Sequence, residues 1–316
     1  MNYPIVFVPG LFGSLGDDVI HGTGEFSFGF AEKTYRPFIR ILNEMGYVEG
    51  LNLFISYYDW KIRVLDAVDR YLFPNIEKIK KKTRADKVVI IGHSLGGLLG
   101  RAYMSCFSPS SVDKLIMIGT PNLGAVNAYY FWSGGQIPYF TSRENTLYEE
   151  LKARFISHYN IMEKINYVEI MRRMFPVVED LLPSYEYGDY LFYDANGIRM
   201  EVPIEDMSIR NEFLNGLGNM RLDPNKLFII AGSGVETNSD ILVDREYRDK
   251  VKWRDGKPLE VYKTKHGDGT VTIDSALGYI WSNHIVLDGN HTDILYRSSE
   301  YLSLVLGKNK ASCKMK

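Results

Sequence analysis

The chain has 316 residues, 45% of them hydrophobic and 24% charged, with 37 Lys and Arg against 39 Asp and Glu for a net charge of −2. At about 150 residues per domain, this length suits two domains or one large domain carrying an inserted cap. The composition excludes disorder of the bulk, and the cancelling charges leave no overall field that would draw nucleic acid or an anionic membrane.

Short β-branched runs alternate with longer amphipathic stretches, the pattern of a mostly parallel sheet flanked by helices. In chain order, the spacing predicts a strand over Ile5–Val8, a helix over Lys33–Met45 closed by Gly46, and a strand over Leu53–Tyr57. A helix over Val64–Lys82, a strand over Lys87–Gly92, a helix over Leu95–Cys106 and a strand over Lys114–Gly119 follow. The basic run from Lys78 to Arg84 reads as a solvated helix end, where cations complement the helix dipole.

The rhythm then stops. Residues 124–224 are rich in aromatics without a clear buried strand, and read as an inserted cap or lid. Within them, Leu147–Tyr159 and Ile161–Phe175 have helical spacing, and Asp194-Ala195-Asn196-Gly197 between apolar flanks predicts a hairpin. Strand patterns resume at Leu227–Ala231, Leu259–Tyr262 and His284–Leu287. The expected division is a core of residues 1–123 and 225–307, a cap of 124–224 and a polar tail of 308–316.

Cys106 and Cys313 are too few for a disulfide scaffold. Met1-Asn2-Tyr3 has no positive region, and Ile5–Val8 is broken at once by Pro9-Gly10, so no secretory signal is expected. No apolar run reaches the length of about 18 residues that a membrane-spanning helix needs. The expectation is a soluble, cytoplasmic protein.

The most informative segment is Val88-Val89-Ile90-Ile91-Gly92-His93-Ser94-Leu95-Gly96-Gly97. An apolar strand runs into Gly-x-Ser-x-Gly and a helical pattern leaves it, the setting of a nucleophile elbow with Ser94 exposed at the carboxyl end of a sheet. A serine hydroxyl is a weak nucleophile and needs a neighbouring base, itself oriented by an acid. In this architecture the acid and then the histidine follow the serine along the chain, which sets aside His21 and His93. His158 falls in the cap, His266 precedes the expected acid, and His284 opens a strand, leaving His291 in the loop after the last strand. The expected acid is Asp268 in Gly267-Asp268-Gly269, whose tight turn frees backbone N–H groups for the carboxylate. Asp240, Asp244, Asp274 and Asp293 are poorer placed. The oxyanion donors are expected from the N–H groups of Leu95 and of Leu11, with Phe12 behind Leu11. No cofactor is implied: the Gly10 and Gly232 segments lack a complete phosphate-loop motif, and Asp17, Asp18 and His21 lack metal-ligand spacing.

The segments Val8-Pro9-Gly10-Leu11, Gly92–Gly97, Gly119-Thr120-Pro121-Asn122-Leu123-Gly124, Gly232-Ser233-Gly234-Val235 and Gly267–Val271 occur in this order. Together they resemble the α/β-hydrolase fold as found in the lecithin:cholesterol acyltransferase-like lipase group, from the first strand to about Gly307. The cap matches only loosely, through its aromatics and Leu181-Leu182-Pro183. The resemblance implies a nucleophile at Ser94, an acid at Asp268, a base at His291 and oxyanion donors at Leu11 and Leu95. It implies cleavage of carboxylic esters, of lipid or acylglycerol type, with acyl transfer to water or to an alcohol. Sterol esterification is not implied, since the disulfides and signal of the secreted animal members are not found here. Phe12 and Tyr129-Tyr130-Phe131-Trp132 are candidates for lining an acyl groove, and a mobile lid would bring activation at a lipid–water interface. The alternative is a catalytically silent member of the fold that serves as a ligand receptor or interaction module. The oligomeric state is not legible.

Overall fold

The computed structural model describes residues 3–136, 153–154, 156–157, 166–218, 222–278 and 283–308. Twelve strands are present among them, in chain order β1 (Ile5–Val8), β2 (Leu15–Asp18), β3 (Thr23–Ser27), β4 (Leu53–Ile55), β5 (Val88–His93) and β6 (Val112–Ile118). They continue as β7 (Leu191–Ala195), β8 (Ile198–Val202), β9 (Leu227–Ser233), β10 (Thr237–Asp244), β11 (Lys257–Thr264) and β12 (Asn283–Asp288). Six form the central sheet in the order β12-β9-β6-β5-β1-β4, and every pairing in it is parallel. Strands β1 and β5 are buried along their whole length, as expected for strands covered on both faces. Helices flank the sheet, giving an α/β-hydrolase fold.

The helices predicted over Lys33–Met45, Val64–Lys82 and Leu95–Cys106 are present, with informative interruptions. The first spans Glu32–Glu44, and Gly46, at φ 87°, closes it as the sequence predicts. The segment predicted as one helix over Val64–Lys82 is α-helical over Val64–Ala67 and Phe73–Thr83, with a π-turn over Val68–Leu72 between them. Pro74 explains the break: it has no N–H and its ring clashes with the carbonyl four residues back. The ladder widens so that the Phe73 N–H reaches back to Val68 O. The helix after β5 covers Leu95–Ala102 and also ends in a π-turn, Tyr103–Phe107.

The predicted hairpin is β7–β8, with Asn196 and Gly197 both at positive φ in its turn. The pattern at Leu259–Tyr262 is a strand, but it belongs to a second sheet of order β11-β10-β7-β8. Its antiparallel pairing with β10 sets Ile241 opposite Val261, and β10 pairs in parallel with β7 through Ile241 and Leu191. Residues from both sides of position 224 thus share one sheet. Most of the helix predicted over Leu147–Tyr159, Cys313 and nearly all of the polar tail lie outside the described residues; residues 153–154 and 156–157 of that stretch are helical, and the following helix is present over Tyr167–Met174. Among the described residues no helix is long and apolar enough to cross a membrane.

Candidate active site

Parallel pairing brings the carboxyl ends of the central strands to one edge. There β1 runs into Pro9-Gly10-Leu11, β5 ends beside Ser94, β6 beside Gly119, and β12 three residues before His291. Beyond β9, Val235 forms a parallel bridge to Asp268. Strand β1 lies between β4 and β5, and β5 between β1 and β6, so the chain leaves β1 toward β4 but leaves β5 toward β6, and Leu11 and Ser94 flank a switch point. Open α/β sheets bind ligands in the crevice there.

Ser94 adopts φ 53° and ψ −125°, a strained backbone for a residue bearing a Cβ. Its N–H donates to Ile118 O at 2.8 Å and its carbonyl accepts from the Gly97 N–H at 3.0 Å. The neighbouring glycines are required by close approach: a Cβ on Gly92 would lie 2.5 Å from Gly96 O, and one on Gly10 would lie 2.9 Å from Ser94 Cβ. The loop after β1 therefore rests directly on the turn that carries Ser94.

Asp268 and His291 meet: Nδ1 of the imidazole lies 2.7 Å from Asp268 Oδ2. Asp268 is 1% exposed, and its other oxygen accepts the N–H groups of Thr270 and Val271 at 2.9 and 2.8 Å. The His291 N–H also donates to Asp268 O at 2.8 Å. A proton on Nδ1 satisfies the carboxylate contact and leaves the lone pair of the neutral ring on Nε2. Ser94 and His291 both bear on the end of β6: Ser94 through its bond to Ile118, His291 through ring atoms that would lie 3.0 and 3.1 Å from a Cβ on Gly119. No hydrogen bond joins Ser94 Oγ to the imidazole; His291 is bonded instead to Asp268 and His93.

Leu95 is the first residue of its helix, so its N–H has no acceptor within that helix. Leu11 lies in the turn between Gly10 and Phe12, where Phe12 has φ 60°. Phe12 packs edge-on against Trp60 at 4.4 Å, Trp60 stacks on Phe175 at 5.4 Å, and Phe175 meets Phe131 at 5.5 Å. A row of rings thus runs from the Leu11 loop to the helix Asn127–Gly134. Tyr129 on that helix is fully buried and donates its hydroxyl to Gly256 O at 2.6 Å, while Tyr130 packs on Trp253 and Trp132 lies under the Arg172 guanidinium.

Two buried side chains that chain order and motif reading passed over also reach this edge. The Gly10 N–H bonds to Tyr35 Oη, Tyr35 Oη to His93 Nδ1, and His93 Nε2 to His291 O, each at 2.9 Å. His93 occupies the variable position of the serine motif, which carries no role by itself. Tyr35 shows only the helical spacing of a core residue.

The lecithin:cholesterol acyltransferase family matches residues 25–185, just over half of the chain, a stretch that contains Ser94 and Leu95 but ends before Asp268 and His291. Comparison with curated proteins finds no match. Among solved structures, the mature form of the Bacillus licheniformis lipase BlEst2 is 14% identical with a TM-score of 0.52, over 96% of this chain and 92% of that one. A chain of the Tle4–Tli4 complex is 12% identical with a TM-score of 0.55, over 96% and 97% of the two chains. These likenesses extend over nearly the whole of each chain and are likenesses of fold. With more than half of its length matched by the family and its central sheet built as described, the chain belongs to the lecithin:cholesterol acyltransferase family of α/β-hydrolases.

Proposed function

We propose that this protein is a serine hydrolase that cleaves carboxylic esters, of lipid or acylglycerol type, through an acyl-serine intermediate on Ser94. The observation that carries this reading is the 2.7 Å Asp268–His291 pair, held at the same sheet edge as a serine in a strained strand-to-helix turn. Family membership supports a carboxylic ester as the substrate class. His291 Nε2 takes the Ser94 proton as Oγ attacks the ester carbonyl, and the Leu11 and Leu95 N–H groups receive the developing oxyanion. Collapse of the tetrahedral intermediate expels the alcohol, which takes the proton from His291. Water, deprotonated by the same imidazole, then releases the acid and restores Ser94. An alcohol in place of that water would make the reaction an acyl transfer with the same groups. The contact between Oγ and Nε2 closes when substrate is bound, since catalytic hydrogen bonds are commonly loose in a free enzyme. Phe12, half-buried beside the Leu11 loop and packed on Trp60, is a candidate to line the acyl chain, and each buried methylene adds about 0.8 kcal/mol.

The test is hydrolysis of a chromogenic ester series of increasing acyl length by the wild type and by Ser94→Ala. Turnover by the wild type and a loss on the order of 10³-fold or more in the variant is the expected result. Equal rates in the two folded proteins would remove Ser94 from the reaction.

A further inference from the structure

We propose that Tyr35 and His93 are positioning residues that lock the Leu11 loop, the Ser94 turn and the His291 backbone into one register through a one-way hydrogen-bond relay. The proposal rests on the reading of Ser94, His291 and Leu11 given above.

The direction of the relay follows from counting donors. The carbonyl of His291 can only accept, so His93 Nε2 carries the proton in the 2.9 Å contact. Burial and the neighbouring His291 ring push the His93 imidazole down to about 3, so it is neutral and Nδ1 is a bare acceptor. Tyr35 must then donate its hydroxyl to Nδ1, and its oxygen accepts the Gly10 N–H. Three bonds of equal length run one way, from the Gly10 N–H to the His291 carbonyl, and each polar atom has its complementary partner. Tyr35 and His93 are 3% and 4% exposed, so water does not replace either link.

The relay touches the three groups that must converge on one substrate carbonyl. Gly10 precedes Leu11, His93 precedes Ser94, and His291 is itself an end of the chain of bonds. The packing is correspondingly tight: a Cβ on Gly10 would lie 3.3 Å from His93 Nδ1, and one on Gly13 would lie 2.8 Å from the Tyr35 ring. With its N–H on Asp268 and its carbonyl on His93, His291 is held at both backbone ends as well as at Nδ1. Displacing a reacting group by about 1 Å costs on the order of 10²-fold in rate, so releasing one link slows the chemical step while leaving substrate binding largely intact.

The experiment compares wild type, Tyr35→Phe, His93→Ala, His93→Gln and Ser94→Ala. Readouts are kcat and KM on one chromogenic ester, the rate of covalent labelling by a fluorophosphonate, and thermal melting. Tyr35→Phe keeps the ring and removes the hydroxyl. In His93→Gln the side-chain amide restores a donor near the position of Nε2, whereas His93→Ala restores nothing. The expected result is a fall in kcat and in labelling rate of tenfold or more for Tyr35→Phe and His93→Ala, KM within about twofold of wild type, and at least fivefold recovery in His93→Gln relative to His93→Ala. Melting temperatures of the two His93 variants should agree, which separates positioning from stability. Folded Tyr35→Phe and His93→Ala with kcat and labelling within twofold of wild type, while Ser94→Ala is dead, would overturn the relay alone. If Tyr35→Phe does not fold, the two His93 variants decide: equal activities in both overturn the proposal. Labelling and turnover that survive in Ser94→Ala would overturn the reading of the nucleophile, and the relay with it.

Discussion

His93 is a histidine kept neutral by its surroundings. Burial is the larger cause and the adjacent His291 ring the smaller, and together they bring it down to about 3. Its folded value lies below the ordinary value near 6.5, so on acidification the unfolded chain takes up the proton first. The contribution to stability is therefore complete above about pH 6.5 and is lost progressively as the pH falls toward 3. Between pH 7 and pH 5 this linkage removes about 2 kcal/mol. Urea denaturation at the two pH values should show the wild type losing about 2 kcal/mol more than His93→Gln, which has no titrating group at this position; equal losses would mean that the ring is not held neutral. Asp268 has a buried carboxylate oxygen bonded by two backbone N–H groups of its own turn. The Gly-Asp-Gly run is the sequence mark of that turn, whereas nothing local marks Tyr35, whose partners lie 25 and 58 residues away.

Among the elements, the end of β6 tolerates little change beside the His291 ring. Gly119 has φ 59°, which costs a residue with a Cβ about 1–2 kcal/mol, and the added methyl would press on the His291 ring. Gly119→Ala should therefore lose about 1–2 kcal/mol of stability and at least tenfold in ester turnover. Gly46→Ala is the control, since Gly46 has φ 87° but open space around its Cβ position: it should lose comparable stability with unchanged turnover. Paired denaturation and kinetic measurements on the two variants separate backbone strain from displacement of the imidazole. Strands β1, β5, β6, β9 and β12 were legible because short apolar, β-branched runs between turn residues have few other uses in a chain of this composition. The pattern at Leu259–Tyr262 was equally legible as a strand but not as a member of the second sheet. Its partners Ile241 and, through it, Leu191 are distant, and a period of two names a strand's faces without naming its neighbour.

For the molecule as a whole, the segment after the helix Asn127–Gly134 is tied to the core by a few specific contacts. Arg63 pairs with Glu179 at 2.6 Å and with Asp180 at 2.8 Å, and Asp180 Oδ2 accepts the Val64 N–H at 2.7 Å. The Ala125 N–H donates to Leu181 O and the Ser184 N–H to Leu123 O, so Leu181-Leu182-Pro183 lies along the loop that leaves β6. Asp180 is 1% exposed, whereas Glu179 is 20% exposed. Asp180→Ala should cost about 1–3 kcal/mol, because it leaves the buried Val64 N–H without its acceptor, while Glu179→Ala should cost about 1 kcal/mol or less. Chemical denaturation of the two variants checks the ranking; equal small losses would mean that the pair does not anchor this segment.

The features open to reading from the sequence were those encoded within a few residues. Turns that require glycine, apolar runs with a period of two and helices with a period near 3.6 each leave a local mark, and the order of these marks along the chain brought Ser94, Asp268 and His291 forward as candidates. Tertiary structure alone decided which strands share a sheet, that Phe12, Trp60, Phe175 and Phe131 form a row, and that Gly10, Tyr35, His93 and His291 form a single relay. The last link of that relay spans 198 residues. Such contacts depend on how distant segments pack together, and a hydrogen bond between two of them imposes no spacing on the residues between.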